Sequence, residues 1–153
     1  MLPTPNTFSL ATGHSEGGTP LTAFDAALLE AGLGNLNLLK VSSVIPPGAR
    51  PAPVPRIPPG SLVPVAYGSI TSTIEGEIIS AGVAVALSRD TFGMIMEYSG
   101  RCPRHETEAV LEEMVRESFE KRGLGIDAIM VESVEHRVIR CGCAFAAVAL
   151  WHD

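Results

Sequence analysis

Residues 46–60 hold seven prolines, at 46, 47, 51, 53, 55, 58 and 59. Proline fixes φ and donates no backbone N–H, so this stretch is extended and can be neither a helix nor an interior strand. Strand-like segments flank it closely on both sides, and a chain of 153 residues has room for about one core. The stretch therefore reads as a surface arm of a single domain rather than a linker. It also halts what precedes it. Leu36, Leu38, Leu39, Val41, Val44 and Ile45 lead into Pro46-Pro47, and Ser42-Ser43 falls just before the stop.

Hydrophobic residues make up 46% of the chain and charged residues 18%, which excludes disorder as the dominant state. Eleven basic residues against seventeen acidic give a net charge of −6. The basic residues are not clustered, so nucleic-acid binding is a poor reading. The mean hydropathy of +0.25 is high for a small domain and predicts subunit contacts. The longest apolar run, 78–87, is interrupted by Ser80 and Gly82 and is too short to span a membrane. No Lys or Arg precedes the apolar residues of the N-terminus, so no signal peptide is expected. The three cysteines, with Cys141-Gly-Cys143 lacking the neighbours of a four-ligand zinc site, read as buried free thiols in a reducing cytoplasm.

Strand and helix signals alternate, which predicts an α/β (α+β) domain. Residues 6–11 read as a strand and 13–18 as a loop. A helix follows, capped by Thr19 with Pro20 in its first turn, carrying an apolar stripe of Leu21, Phe24, Leu28 and Ala31 and stopped by Gly32 and Gly34. Residues 35–45 read as one buried strand. Strands are expected at 62–70, 77–87 and 92–98, with the second buried on both faces because its apolar residues do not alternate. The strongest helix pattern runs from Pro103 to Gly123, with Val110, Leu111, Met114, Val115, Ser118 and Phe119 on one face. Two strands at 126–131 and 134–139 precede a last one at 144–151, almost wholly apolar and so central.

The familiar sites are missing: there is no GxGxxG after a strand, no GxxxxGK[ST], no HExxH and no GxSxG. Histidines 14, 105, 136 and 152 show no metal-ligand spacing. His105 and His152 read as solvent-facing, His136 as part of a solvated strand face, and Glu16 and Glu30 as surface acids. The serine pair stands out, since it places a hydroxyl on a backbone pinned from both sides, where strain is held if the fold allows it. Asn37 reads locally as a strand-start residue bonding nearby backbone. Glu97 ends the apolar run Phe92-Gly-Met-Ile-Met96 beside Tyr98. Such a carboxyl is either desolvated, which favours its protonated form, or a strand-end acid in solvent. Asp25 suits the positive end of its helix.

Six stretches in order carry a resemblance that covers nearly the whole chain. They are Ser15-Glu-Gly with Thr19-Pro-Leu-Thr-Ala-Phe-Asp-Ala-Ala-Leu28; Gly34-Asn-Leu-Asn37 through Ser42-Ser43-Val-Ile-Pro-Pro47; Gly60-Ser-Leu-Val-Pro-Val-Ala-Tyr-Gly68; Ile95-Met-Glu97-Tyr; Val134-Glu-His136; and Gly142-Cys-Ala-Phe-Ala-Ala147. The chain resembles the pyruvoyl-dependent arginine decarboxylases. Thr22 stands where the pattern has Asn, and His14 where it has a small residue.

The resemblance implies an αββα-like sandwich of sheets covered by helices, assembled as a homotrimer or dimer of trimers with sites between neighbouring subunits. It implies that Ser43 Oγ attacks the Ser42 carbonyl and that the chain self-cleaves into 1–42 and 43–153, the latter opening on a covalent pyruvoyl group. That group would form a Schiff base with L-arginine, which becomes agmatine and CO2, with no metal and no pyridoxal phosphate. Asn37 would assist processing, Glu97 would donate the proton, Asp25 would hold the guanidinium and Leu28 would border the methylenes. The alternatives are another amino acid, such as lysine or ornithine, or an uncleaved homologue with a binding or assembly role.

Overall fold

A computed structural model describes residues 2–153. In chain order the elements are β1 (Thr7–Glu16), α1 (Pro20–Glu30), β2 (Asn37–Lys40), β3 (Val44–Ile45), β4 (Arg50–Pro51), β5 (Leu62–Ser72), β6 (Ile78–Leu87), β7 (Gly93–Gly100), α2 (Arg104–Arg122), β8 (Ala128–Arg137) and β9 (Gly142–Trp151). They form a five-stranded sheet, β2-β5-β9-β1-β4, and a four-stranded sheet, β3-β7-β6-β8.

The apolar strand β9 shows why two sheets and two helices result. Successive side chains in a strand point to opposite faces. Cys143, Phe145 and Ala147 of β9 therefore pack with Ala23, Ala27 and Leu28 of α1. Ala144, Ala146 and Val148 point the other way, onto Ile79, Val83 and Ile95 of the second sheet. The second sheet repeats the arrangement outward: Ala84, Ala86 and Met94 pack against Leu111, Val115 and Phe119 of α2. The layers run α1, sheet, sheet, α2, the αββα sandwich that the resemblance implies. As expected, β9 is central and β6 is buried on both faces. Gly123 ends α2 at φ 65, the left-handed cap that glycine accepts without cost.

Several local expectations are overturned. Residues 13–16 are not a loop. They continue β1, pairing with β9 as far as Glu16 opposite Gly142. Gly13 does not break the strand. It lets α1 lie close, since a Cβ there would stand 2.1 Å from the Ala27 carbonyl oxygen. The buried edge of α1 is made of small residues for the same reason, and Leu21 of the expected stripe is 74% exposed. Residues 126–139 hold one continuous strand rather than two, because polar Glu132 and Ser133 keep their places in the ladder with β6. The proline arm contributes only the edge strand β4, parallel to β1, and tucks Ile57 under the α1 layer.

Cys141 and Cys143 are buried free thiols, and Cys102 is partly exposed. Burial pushes the Cys143 thiol up to about 12. No helix among the described residues is long and apolar enough to cross a membrane.

Candidate active site

The expected strand 35–45 breaks at the serine pair, and the break places the pair. β2 is an exposed edge strand of the first sheet, not a buried one. After Lys40 the Val41 N–H donates to the Val65 carbonyl at 3.1 Å, the last tie to that sheet. Two residues later the chain has joined the other sheet: Ile95 N–H donates to the Ser43 carbonyl at 2.7 Å, and Val44 pairs with Met94. The Ser42–Ser43 peptide bond therefore crosses between the sheets and is tethered on each side. Val41 packs on the inter-sheet core and Ile45 is buried in it, which is why the crossing falls there. Ser42 is exposed and Ser43 half-buried. The one described non-glycine residue with positive φ is Asp90, so the tethered pair holds no left-handed strain.

The β3–β7 register also positions Glu97. Ser43 faces Ile95, and Glu97 lies two residues further along β7 on the same, inter-sheet side. β5 approaches it through Gly68, whose absent Cβ would sit 3.4 Å from the Glu97 Cβ. Burial pushes the Glu97 carboxyl above the usual carboxylate range, and the charge of Lys40 and a hydrogen bond to its own backbone only partly offset this. Of the two readings open for Glu97, the desolvated one holds. Lys40 Nζ lies 4.5 Å over the Tyr67 ring, which packs on Phe145 and Phe24 at centroid distances of 5.5 and 6.2 Å.

The other candidates are not gathered around this bond within one copy. Asn37 Nδ2 donates to the Gly60 carbonyl at 2.9 Å. An extended strand separates Asn37 from Ser42 by roughly 16 Å. Asp25 is exposed on α1 and makes no ion pair among the described residues. Leu28 faces the core beneath α1 and keeps 9% exposure. The larger concavities of a single copy, such as that bordered by Phe8, Pro51 and Met130, include neither Ser43 nor Glu97.

A polar cluster that sequence reasoning missed sits at the far end of β1. His136 is buried rather than solvated, and its Nδ1 is 2.8 Å from that of His14. Its Nε2 is 2.5 Å from Glu16. Glu16 is no ordinary surface acid: its carboxylate accepts the backbone N–H groups of Ile139, Arg140 and Cys141 at 3.2, 2.8 and 3.0 Å. Burial works against the charge, but these donors and His136 outweigh it and hold the group at about 2. More than a hundred positions separate the partners, and no local pattern marks them. No metal-holding group of three or more His, Cys, Asp or Glu occurs among the described residues.

The fold has a solved counterpart: a pyruvoyl-dependent histidine decarboxylase matches with a TM-score of 0.53 at 14% identity, over 62% of this chain and 52% of that one. The chain thus spans about half of that structure, and what the two share is the two-sheet architecture. At the level of sequence, the model of the family described as pyruvoyl-dependent arginine decarboxylase matches residues 7–153. A pyruvoyl-dependent arginine decarboxylase of Methanocaldococcus jannaschii is 53% identical over 97% of this chain and 91% of its own length. One of Methanothermobacter thermautotrophicus is 43% identical over 92% of this chain and 93% of its own. The chain belongs to the pyruvoyl-dependent arginine decarboxylase family.

Proposed function

We propose that the protein is a self-processing decarboxylase that converts L-arginine to agmatine and CO2, with its reactive ketone made from Ser43. The observation that carries this reading is the Ser42–Ser43 bond, which crosses between the sheets with Ser43 held by Ile95 and Glu97 one register step away. The chain fits the group it would carry. The bond lies between two anchored strands, with Ser42 exposed and a hydroxyl at its C-terminal side.

Ser43 Oγ attacks the Ser42 carbonyl carbon, and the acyl group passes from nitrogen to oxygen. Loss of the ester's carboxylate, then addition of water with release of ammonia, leaves residues 1–42 and a ketone opening residues 43–153. The fragments stay together because β1 lies between β9 and β4 and β2 lies on β5. The pyruvoyl group supplies the electron-withdrawing carbonyl that an amino acid needs to lose CO2. Glu97, whose hold on its proton burial strengthens, delivers a proton to the substrate carbon. Asp25, exposed and without an ion-pair partner among the described residues, offers a planar guanidinium its best geometric match. Leu28 borders the substrate's methylenes.

Asn37 stands too far from the bond in its own copy, so its amide, with Asp25, serves the site of a neighbouring copy. That arrangement requires an oligomer, in this reading a trimer or a dimer of trimers. The mean hydropathy supports such an assembly, as do the exposed Leu21, Leu29, Leu39 and Leu62.

Intact-mass measurement and CO2 release across arginine, lysine and ornithine test the reading together. Two fragments, the larger reactive to carbonyl reagents, with arginine preferred, are expected. Preference for lysine or ornithine changes the substrate. A single inert full-length species makes the chain a non-catalytic homologue.

A further inference from the structure

We propose that Ser99 is a positioning residue for Glu97: its hydroxyl bolts β7 to β5 across the sandwich and fixes the carboxyl between that bolt and the tether of Ser43. The inference rests on the reading of Glu97 as proton donor. It starts from the edge that β2 leaves uncovered. β2 pairs with β5 only as far as Lys40 opposite Val65, and the Val65 carbonyl then accepts from the Val41 N–H. Carbonyls two and four residues along a strand point the same way, so that of Ser69 faces the same edge, beyond the end of β2. Ser99 Oγ, from the other sheet, donates to it at 3.0 Å.

Ile95, Glu97 and Ser99 alternate along β7 and so turn to the same, inter-sheet side. Ile95 N–H holds the Ser43 carbonyl at 2.7 Å and Ser99 holds the Ser69 carbonyl at 3.0 Å, with Glu97 midway between the two ties. Gly68, the residue before Ser69, closes over it: a Cβ there would lie 3.4 Å from the Glu97 Cβ and 3.5 Å from the Tyr98 backbone. The other neighbours turned to this interior are Val83 of β6, paired with Glu97, and Ala146 of β9, paired with Gly68. Neither titrates nor offers a hydrogen-bonding side chain. Lys40 lies on the α1 side of the first sheet, over Tyr67. The walls are therefore apolar. They limit how far the carboxyl is hydrated, which agrees with its raised proton affinity, but they do not fix where it points. That direction follows from how β7 is held, and Ser99 holds it on the side away from Ser43. A donor misplaced by about 1 Å forfeits up to roughly a hundredfold in rate, so one such bond is enough to matter.

The test uses Ser99→Ala, which removes the bolt, and Ser99→Thr, which keeps it. β7 stays paired with β6 from Met94 to Gly100, so both chains should fold. Carbon-13 NMR titration of the Glu97 carboxyl, assigned by its loss in Glu97→Gln, is run in a Ser43→Ala background and needs no self-processing. Ser99→Ala should let water into the seam and move that titration to lower pH, toward the ordinary carboxylate range. Ser99→Thr should leave it near wild type. In the processed enzyme Ser99→Ala should lower kcat roughly tenfold with KM nearly unchanged, and Ser99→Thr should restore it. An unmoved Glu97 titration in Ser99→Ala overturns the proposal. An equal loss of kcat in the two variants also overturns it, because the hydroxyl would then not matter. Full turnover by Glu97→Gln overturns instead the donor reading beneath it, and the two results are read in separate experiments.

Discussion

The Nδ1 atoms of His14 and His136 lie 2.8 Å apart, one ring donating and the other accepting. The ring of His136 reaches the Glu16 carboxylate through its other nitrogen, and since a carboxylate only accepts, that Nε2 carries a hydrogen. The relay joins the end of β1 to β8, just before Gly17 and Gly18 turn the chain into α1.

Glu16 holds that junction, and its removal should be felt as stability. Glu16→Ala leaves three backbone N–H groups without their acceptor and should cost roughly 3 kcal/mol by urea unfolding at pH 7. The carboxyl sits at about 2 in the fold against 4.5 ordinarily, so its contribution is complete above pH 4.5 and is lost as pH falls toward 2. The gap between the two proteins should narrow over that window. Equal stability at pH 7 would show that the junction needs no anion.

Gly13→Ala tests the packing of α1 on β1. The added methyl would meet the Ala27 carbonyl oxygen at 2.1 Å and the Ala31 nitrogen at 3.0 Å, both backbone atoms that cannot turn aside. Displacing the helix should cost about 3 kcal/mol or more, read as a lower melting temperature. An unchanged melting temperature would mean that α1 is held loosely.

Ser43→Ala removes the hydroxyl while keeping the backbone bond from Ile95. The chain should fold, remain one species by mass and react with no carbonyl reagent. Fragments of wild-type size from this variant would place the nucleophile elsewhere.

Glu97→Gln should still cleave but lose at least about a hundredfold in kcat, since its amide is no proton donor. In the wild type, donation requires the protonated carboxyl. Burial extends that form above the ordinary carboxylate range, and activity should fall as pH rises through the raised value. A flat profile there, with an active Gln variant, assigns the proton to another group.

Asp25→Asn keeps the shape and removes the charge. Self-cleavage should proceed normally while KM for arginine rises roughly tenfold or more, because a paired carboxylate and guanidinium lose their charge-assisted bonds. An unaltered KM means that the guanidinium binds elsewhere.

Where physics acts between close neighbours, the sequence was legible. Thr19 and Pro20 start α1, Pro103 and Gly123 bracket α2, and the apolar run of β9 lies at the centre of its sheet. Propensity, capping and strand periodicity are properties of a few adjacent residues, and these elements obey them. The serine pair was visible too, as hydroxyls ahead of Pro46-Pro47. A long antiparallel ladder overrode the glycines and polar residues at 13–16, because each step into β9 satisfies backbone groups that a loop would leave to water.

What lay between distant segments was decided by tertiary structure alone. Ser42-Ser43 reads as part of one strand, yet it divides two sheets, since Val65 and Ile95 each claim one side of it. His14, Glu16 and His136 look like scattered surface residues until β1 and β8 bring them together. A carboxylate's partners, and the burial that moves its proton affinity, are set by which strands become neighbours. That choice belongs to the packing of the whole core.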